Sequence, residues 1–280
     1  MNEIFCSKII KNSVEKILNQ HDTCVFIFYG QEGIGKRSFA NTLSSQILQL
    51  KHKNNHLSID LNFKSNQFQQ KQENLILNNT HPDLLVIENE VNELIKIDKV
   101  RELKKFLSQT SSISEYKIII IDPIEDLTIN ATNTLLKSLE ETNHNTYIFL
   151  ISHNLKNVLK TIQSRVFKFY FNPTIKEEFI SLLNSKNNFN FSDEELILVN
   201  NLFNFSPGKF LQFYPKENSL MNDYIQFINN IVTLNTSVKN KSDITSFDLD
   251  LKLLFLNNFI KNILSYFTDK KFSKFTINFE

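Results

Sequence analysis

The sequence predicts an α/β domain on a parallel sheet, followed by helices only. Two observations predict this. Up to about residue 170, apolar runs of strand length alternate with helical patterns, and beyond about residue 172 the strand signal fades. The runs are VFIFY at 25–29, LLVI at 84–87, IIII at 118–121, YIFLI at 147–151 and VFKFY at 166–170. The middle ones are almost uninterrupted, as strands buried on both faces of a parallel sheet should be. Between them, DKVRELKKFLSQ sets Val100, Leu103 and Leu107 on one face behind Asp98 as an N-cap, and NATNTLLKSLEET does the same with Ala131, Leu135 and Leu139. In the helical part, SDEE at 192–195 is a capping box, and Ser206 with Pro207 read as N-cap and first-turn residues. The expected organisation is an α/β domain over 1–171, a helical domain over 172–216 and a second, short helical domain over 217–280.

Composition narrows the function classes. A chain of 280 residues with 41% hydrophobic content and a formal net charge of +1 has a sizeable core but no whole-molecule field to draw it to nucleic acid or acidic membranes. Cys6 and Cys24 form no disulfide framework or metal-ligand pair, which fits a reducing, cytoplasmic setting. The polar, amphipathic N-terminus does not read as a signal peptide, and no segment approaches the roughly 20 apolar residues of a membrane span. Residues 51–80 are polar and rich in Asn and Gln, as in a surface insertion. His52 and His56 within them have no cysteine or acidic cluster to complete a metal site.

Glycine is almost absent: the 4 in the chain are Gly30, Gly33 and Gly35 in GQEGIGKRS, and Gly208 in SPGK. A chain this sparing of glycine keeps it where the backbone needs positive φ or a close approach. Gly30, Gly35 and Lys36 match the start of the phosphate-loop pattern G-x-x-x-x-G-K-[ST], between a strand and a helix-compatible RSFANTLSSQIL. In such a loop, backbone N–H groups and the helix N-terminus cradle phosphate while the lysine supplies a point charge. A tight strand-to-helix turn with no ligand is the alternative. Arg37 stands where the pattern needs a hydroxyl for Mg²⁺, and a guanidinium has no lone pair to give. Ser38 lies about 100° further round the helix. IIIIDP at 118–123 has the form of a Walker B strand ending in Asp122, but Pro123 occupies the position of the usual water-activating glutamate, and Glu125 and Asp126 are expected to project elsewhere. The two losses together predict little or no ATP hydrolysis.

These residues, with THPDLLVI at 80–87, IKIDKVRELKKFL at 95–107, KIIIIDPIEDLTINATNTLLKSLEE at 117–141, TYIFLISHN at 146–154, TIQSRV at 161–166 and SPGK at 206–209, resemble the delta-prime subunits of bacterial DNA polymerase III clamp loaders, which are AAA+ proteins. The resemblance covers most of residues 25–210. It implies a RecA-like AAA+ domain, a helical lid, and a collar that holds five subunits in a ring with delta and the ATP-hydrolysing tau or gamma subunits, which loads the sliding clamp on primed DNA. It also implies that Arg165, in the counterpart of the family's serine-arginine-cysteine motif, reaches the ATP site of a neighbouring subunit; by itself the residue reads equally as a solvated arginine at a strand start.

Asn154 and Lys209 lie near the family's two sensor positions, with structural roles expected here. Lys137 and Glu140 read as the solvated side of an amphipathic helix rather than as a subunit contact. Three departures qualify the resemblance. The four-cysteine zinc module of many members is missing from 51–80, the motif cysteine is Val166, and the collar is short. The resulting expectation is a non-hydrolysing subunit that requires no cofactor, binds ATP or ADP weakly at most through Gly30, Gly33, Gly35, Lys36 and Asp122, holds no metal and contacts no membrane. An active AAA+ ATPase subunit of a clamp loader is the alternative, and a small-molecule P-loop kinase a third, with no feature for an acceptor site.

Overall fold

The computed structural model describes residues 8–49, 74–89, 93–140, 145–184, 189–214, 220–232 and 246–269. Residues 51–73 of the polar insertion, with His52 and His56, and the polar stretch 233–243 lie outside these. The described chain divides into two compact units, 1–173 and 174–280. No helix among the described residues is long and apolar enough to cross a membrane, and no group of His, Cys, Asp and Glu among them could hold a metal ion.

In the first unit, α1 (Lys8–Gln20) precedes β1 (Cys24–Tyr29), α2 (Lys36–Leu48), β2 (Leu84–Glu88), α3 (Ile97–Ser108), β3 (Lys117–Asp122), α4 (Ile129–Glu140), β4 (Thr146–Ser152), the single turn α5 (Lys160–Gln163) and β5 (Phe167–Tyr170). The five predicted strands all form, within a residue or two of their apolar runs. They make one parallel sheet in the order β2-β3-β4-β1-β5. Parallel pairing needs a crossover between strands, which the intervening helices supply.

The period-2 geometry of a strand splits each apolar run between two cores. Phe26, Phe28, Ile118, Ile120, Phe149 and Ile151 pack towards α1 and α2. Val25, Ile27, Ile119, Ile121, Ile148 and Leu150 pack towards α3 and α4, where Val100, Leu103, Leu107, Ala131, Leu135 and Leu139 meet them. The helix faces read from the sequence are therefore the faces buried. The cap of α3 differs from expectation: Lys96 is the N-cap, without a side-chain bond, and Asp98 sits inside the first turn, paired with Arg101 at 2.7 Å. An acidic first-turn residue still complements the helix dipole.

Two polar clamps fix the β2–β3 edge. Asp83, 1% exposed, accepts backbone N–H bonds from Ser112 (2.5 Å), Ile113 and Ser114 (both 2.8 Å), tying the loop that enters β3 to the start of β2. Lys117 donates to the carbonyls of Phe106 and Gln109 at the C-terminal end of α3, with the Phe106 ring centroid 4.9 Å from its ammonium. A cation there satisfies carbonyls that have no partner within the helix.

The second unit contains α6 (Lys176–Asn184), α7 (Asp193–Phe203), α8 (Pro207–Phe213), α9 (Leu220–Val232) and α10 (Ser246–Asp269). Both helix starts expected from sequence are present. Ser192 and Glu195 form the reciprocal capping box of α7, and Ser206 caps α8 with Pro207 in its first turn. One cluster holds the unit together, with Phe179, Phe203 and Phe210 packed in the same core as Leu220, Tyr224, Ile228 and Phe255. Gly208 is a correction. It lies in the first turn of α8 and is not among the positive-φ residues, so SPGK marks a helix start and not a special backbone position.

Candidate functional site

The carboxyl ends of β1, β3 and β4 converge in the middle of the sheet, and ligands of open α/β sheets bind at that edge. The loop after β1 carries all the positive-φ glycines: Gly30 at 144°, Gly33 at 78° and Gly35 at 96°. Gly30 is needed twice over. Its φ is closed to ordinary side chains, and an added Cβ would lie 2.4 Å from the Phe171 carbonyl oxygen. Gly35 is the left-handed N-cap of α2. Gly30→Ala should therefore destabilise the protein by about 2–4 kcal/mol, read as a lower midpoint in urea unfolding with an unchanged slope. A midpoint equal to wild type would show that the loop relaxes freely.

Lys36 is 2% exposed, and its ammonium donates to the carbonyls of Gly30 (2.7 Å) and Gln31 (2.6 Å). The charge expected to meet phosphate is thus folded into the loop itself.

Arg37 gives the site its character. Its Nη1 lies 3.3 Å from Asp122 Oδ2 and 3.4 Å from Glu88 Oε2. Its Nε and Nη2 reach Asn41 Oδ1 (3.2 Å) and Asn79 Oδ1 (3.4 Å). Four acceptors from α2, the ends of β2 and β3, and the segment before β2 surround one guanidinium. Burial pushes the Asp122 carboxyl above its ordinary range, while Arg37, His153 and Lys36 pull it back.

Mg²⁺ at this edge, as the fold family implies, would bind oxygen at 2.0–2.1 Å in near-octahedral geometry. The donor set does not fit it. The Asp122 carboxylate faces a guanidinium, and position 37 offers no oxygen.

The other carboxylates are engaged. Glu125 Oε1 accepts from the backbone N–H groups of His153 (2.6 Å) and Asn154 (3.2 Å) at the end of β4. Asp126 accepts from Asn89 Nδ2 at 2.6 Å. Asn154 Oδ1 accepts from the Lys156 N–H, capping the short turn that follows. Lys209 lies in the first turn of α8, in the second unit.

Arg165 stands two residues ahead of β5, on a turn pinned from inside. Ile162 is buried, Val166 packs on the same core, and the Gln163 amide donates to the carbonyls of Leu155 (2.9 Å) and Val158 (2.8 Å). The arginine itself is 43% exposed; it meets Glu140 Oε1 at 2.9 Å and the Thr161 carbonyl at 3.0 Å. The sequence does not reveal the Arg37 cluster, the Gln163 staple or the contact of Arg165 with Glu140, which is exposed as expected. Of these, only the Gln-Ser-Arg string carried a signal of its own.

A parallel sheet of order 5-1-4-3-2, with a glycine loop after β1, an interior strand, and a strand-end aspartate on β3, defines a RecA-like domain of the AAA+ type. The crystal structure of a DNA polymerase III gamma subunit-related protein from Thermotoga maritima shares this fold, with a TM-score of 0.50 and 20% identity over 93% of this chain and 74% of that one. A family model described as DNA polymerase III, delta subunit, matches residues 6–175, and the chain belongs to that family. DNA polymerase III subunit delta' of Pseudomonas aeruginosa is 36% identical over 141 residues, 50% of this chain and 40% of that protein. The Bacillus subtilis subunit delta' is 31% identical over 166 residues, 59% of this chain and 46% of that protein. The matched part thus spans less than half the length of these relatives.

Proposed function

We propose that this protein is a non-hydrolysing, delta-prime-type subunit of a DNA polymerase III clamp loader, acting in the cytoplasm. In this reading it assembles with delta and tau or gamma subunits, helps load the sliding clamp on primed DNA, and supplies Arg165 to a neighbour's ATP site. One asymmetry carries the reading: the groups that would hydrolyse ATP in the chain's own site are replaced or engaged, while Arg165 is presented to solvent on a pinned turn. Pro123 follows Asp122, and the next carboxylate, Glu125, accepts from the backbone N–H groups of His153 and Asn154 just beyond β4. An arginine offered in trans suits phosphoryl transfer because its planar fork is always protonated and meets two phosphate oxygens.

The test is in two parts. The isolated chain should show no Mg²⁺-dependent ATP turnover above a buffer blank, and it should co-purify with the other loader subunits. Clear turnover by the isolated chain would make it an active ATPase subunit instead, and failure to enter the complex would remove the scaffold role.

A further inference from the structure

The Arg37 guanidinium stands in the electrostatic position of a divalent metal. Its partners are the strand-end aspartate of β3, which is 18% exposed, and the strand-end glutamate of β2 beside it. Asn41, one turn further along α2, and Asn79, ahead of β2, hold the other edges of the guanidinium. Every contact runs from a guanidinium N–H to an oxygen. Each N–H group aimed at Asp122 and Glu88 covers a face that a metal or a metal-bound water would need.

We infer that Arg37 is a covalently attached replacement for the metal ion, which makes this phosphate loop indifferent to divalent cations: a nucleoside diphosphate or triphosphate is taken here without Mg²⁺, or not at all. The physical reason is a competition that the metal loses. A guanidinium tethered on α2 is present at every metal concentration and cannot be deprotonated in a protein. Mg²⁺ must instead shed tightly held water and find near-octahedral oxygen ligands. Displacing Arg37 would also leave its charge without its two carboxylate partners.

This inference rests on reading the loop as non-hydrolysing, but the two fail separately. A chain that binds Mg²⁺ at Asp122 and still does not hydrolyse ATP, because of Pro123, would sink the inference and leave that reading intact.

The experiment compares the melting temperatures of wild type, Arg37→Ser, Arg37→Lys and the double variant Arg37→Ser with Asp122→Asn. Each is measured at 10-fold graded ADP concentrations up to about 10 mM, a range that brackets weak binding, once with EDTA and once with excess Mg²⁺. Wild type should melt no higher with Mg²⁺ than with EDTA. Arg37→Ser, which restores the hydroxyl of the phosphate-loop pattern and leaves two carboxylates side by side, should melt about 2–4 °C lower in EDTA. With Mg²⁺ and ADP it should recover that loss, and the double variant should lose the Mg²⁺ response. Arg37→Lys retains the charge, guards against a folding failure of the serine variant, and should stay indifferent to Mg²⁺. A wild-type shift with Mg²⁺ as large as that of Arg37→Ser overturns the inference. So does an Arg37→Ser variant with no Mg²⁺ response, because the arginine would then be replacing nothing.

Discussion

On the proposed clamp-loader function, Arg165→Ala reconstituted with the loader subunits should slow ATP hydrolysis at the neighbouring site by on the order of 10³-fold, the lower end of what an arginine supplied in trans contributes in phosphoryl transfer. Total turnover of the complex should fall by at least that site's share. The protein itself should remain folded and able to assemble. This contrast follows from the magnitudes at Arg165. Its pair with Glu140 joins side chains 43% and 55% exposed, and exposed pairs contribute at most about 1 kcal/mol. Losing it therefore barely touches stability. The same weakness lets the guanidinium leave Glu140 for a phosphate at little cost. The turn does not depend on the arginine, because Ile162, Gln163 and Val166 hold it from the core side. The measurement is DNA-stimulated ATPase of the complex beside a melting curve of the free subunit. An unchanged ATPase rate would remove Arg165 from the mechanism, and a large drop in melting temperature would show that it is structural.

Asp83→Ala should lower stability by about 3–5 kcal/mol, the second large effect. The carboxylate accepts three backbone N–H bonds from Ser112, Ile113 and Ser114 in a nearly solvent-free position. Alanine leaves all three donors without an acceptor, at about 1–3 kcal/mol for each donor that water does not reach. The clamp joins segments 29 to 31 residues apart in sequence, so the change should also loosen the entry of β3 and with it the placement of Asp122. Asp83→Asn keeps one acceptor oxygen and should lose roughly half as much. Urea unfolding monitored by circular dichroism reads both, with Arg165→Ala as the control that should overlay wild type. An alanine variant within about 0.5 kcal/mol of wild type, the range of ordinary surface changes, would mean that other groups satisfy the loop.

The sheet was the most legible part of the chain. Uninterrupted runs such as IIII at 118–121, rich in β-branched residues, suit strands buried on both faces, and the structure distributes them between two cores by simple alternation. The helix starts at Ser192 and Ser206 were equally plain, because a cap is a local contact between residues three apart. The α3 start was less so. Lys96 and Asp98 are two residues apart, and Lys96, which caps, directly follows Ile95, whose backbone is hydrogen-bonded to Asp126 and Thr128.

In the candidate site, the sequence named most of the residues and left their connections open. GQEGIGK at 30–36 required a turn with left-handed backbone, and the glycines adopt it. The substitution at Arg37 showed only that a hydroxyl was gone. That the guanidinium would cross to Asp122, 85 residues away, and to Glu88, 51 residues away, depended on the strand order that puts β3 and β2 beside α2. Glu140 is a solvated residue of an amphipathic helix, as its sequence position implies, and only the fold sets it against Arg165.

Neighbouring residues and their periodicity were enough to fix the alternation of strands and helices, the glycine turn after β1, the caps at Ser192 and Ser206 and the absence of a glutamate after Asp122. Only the tertiary structure decided that Lys36 folds into its own loop, that Arg37 sits on two carboxylates, that Asp83 closes the entry to β3 and that Glu140 holds Arg165. Those are contacts between side chains or backbone groups brought together by strand order or loop closure, and a charge at one position carries no record of which distant oxygen it will meet.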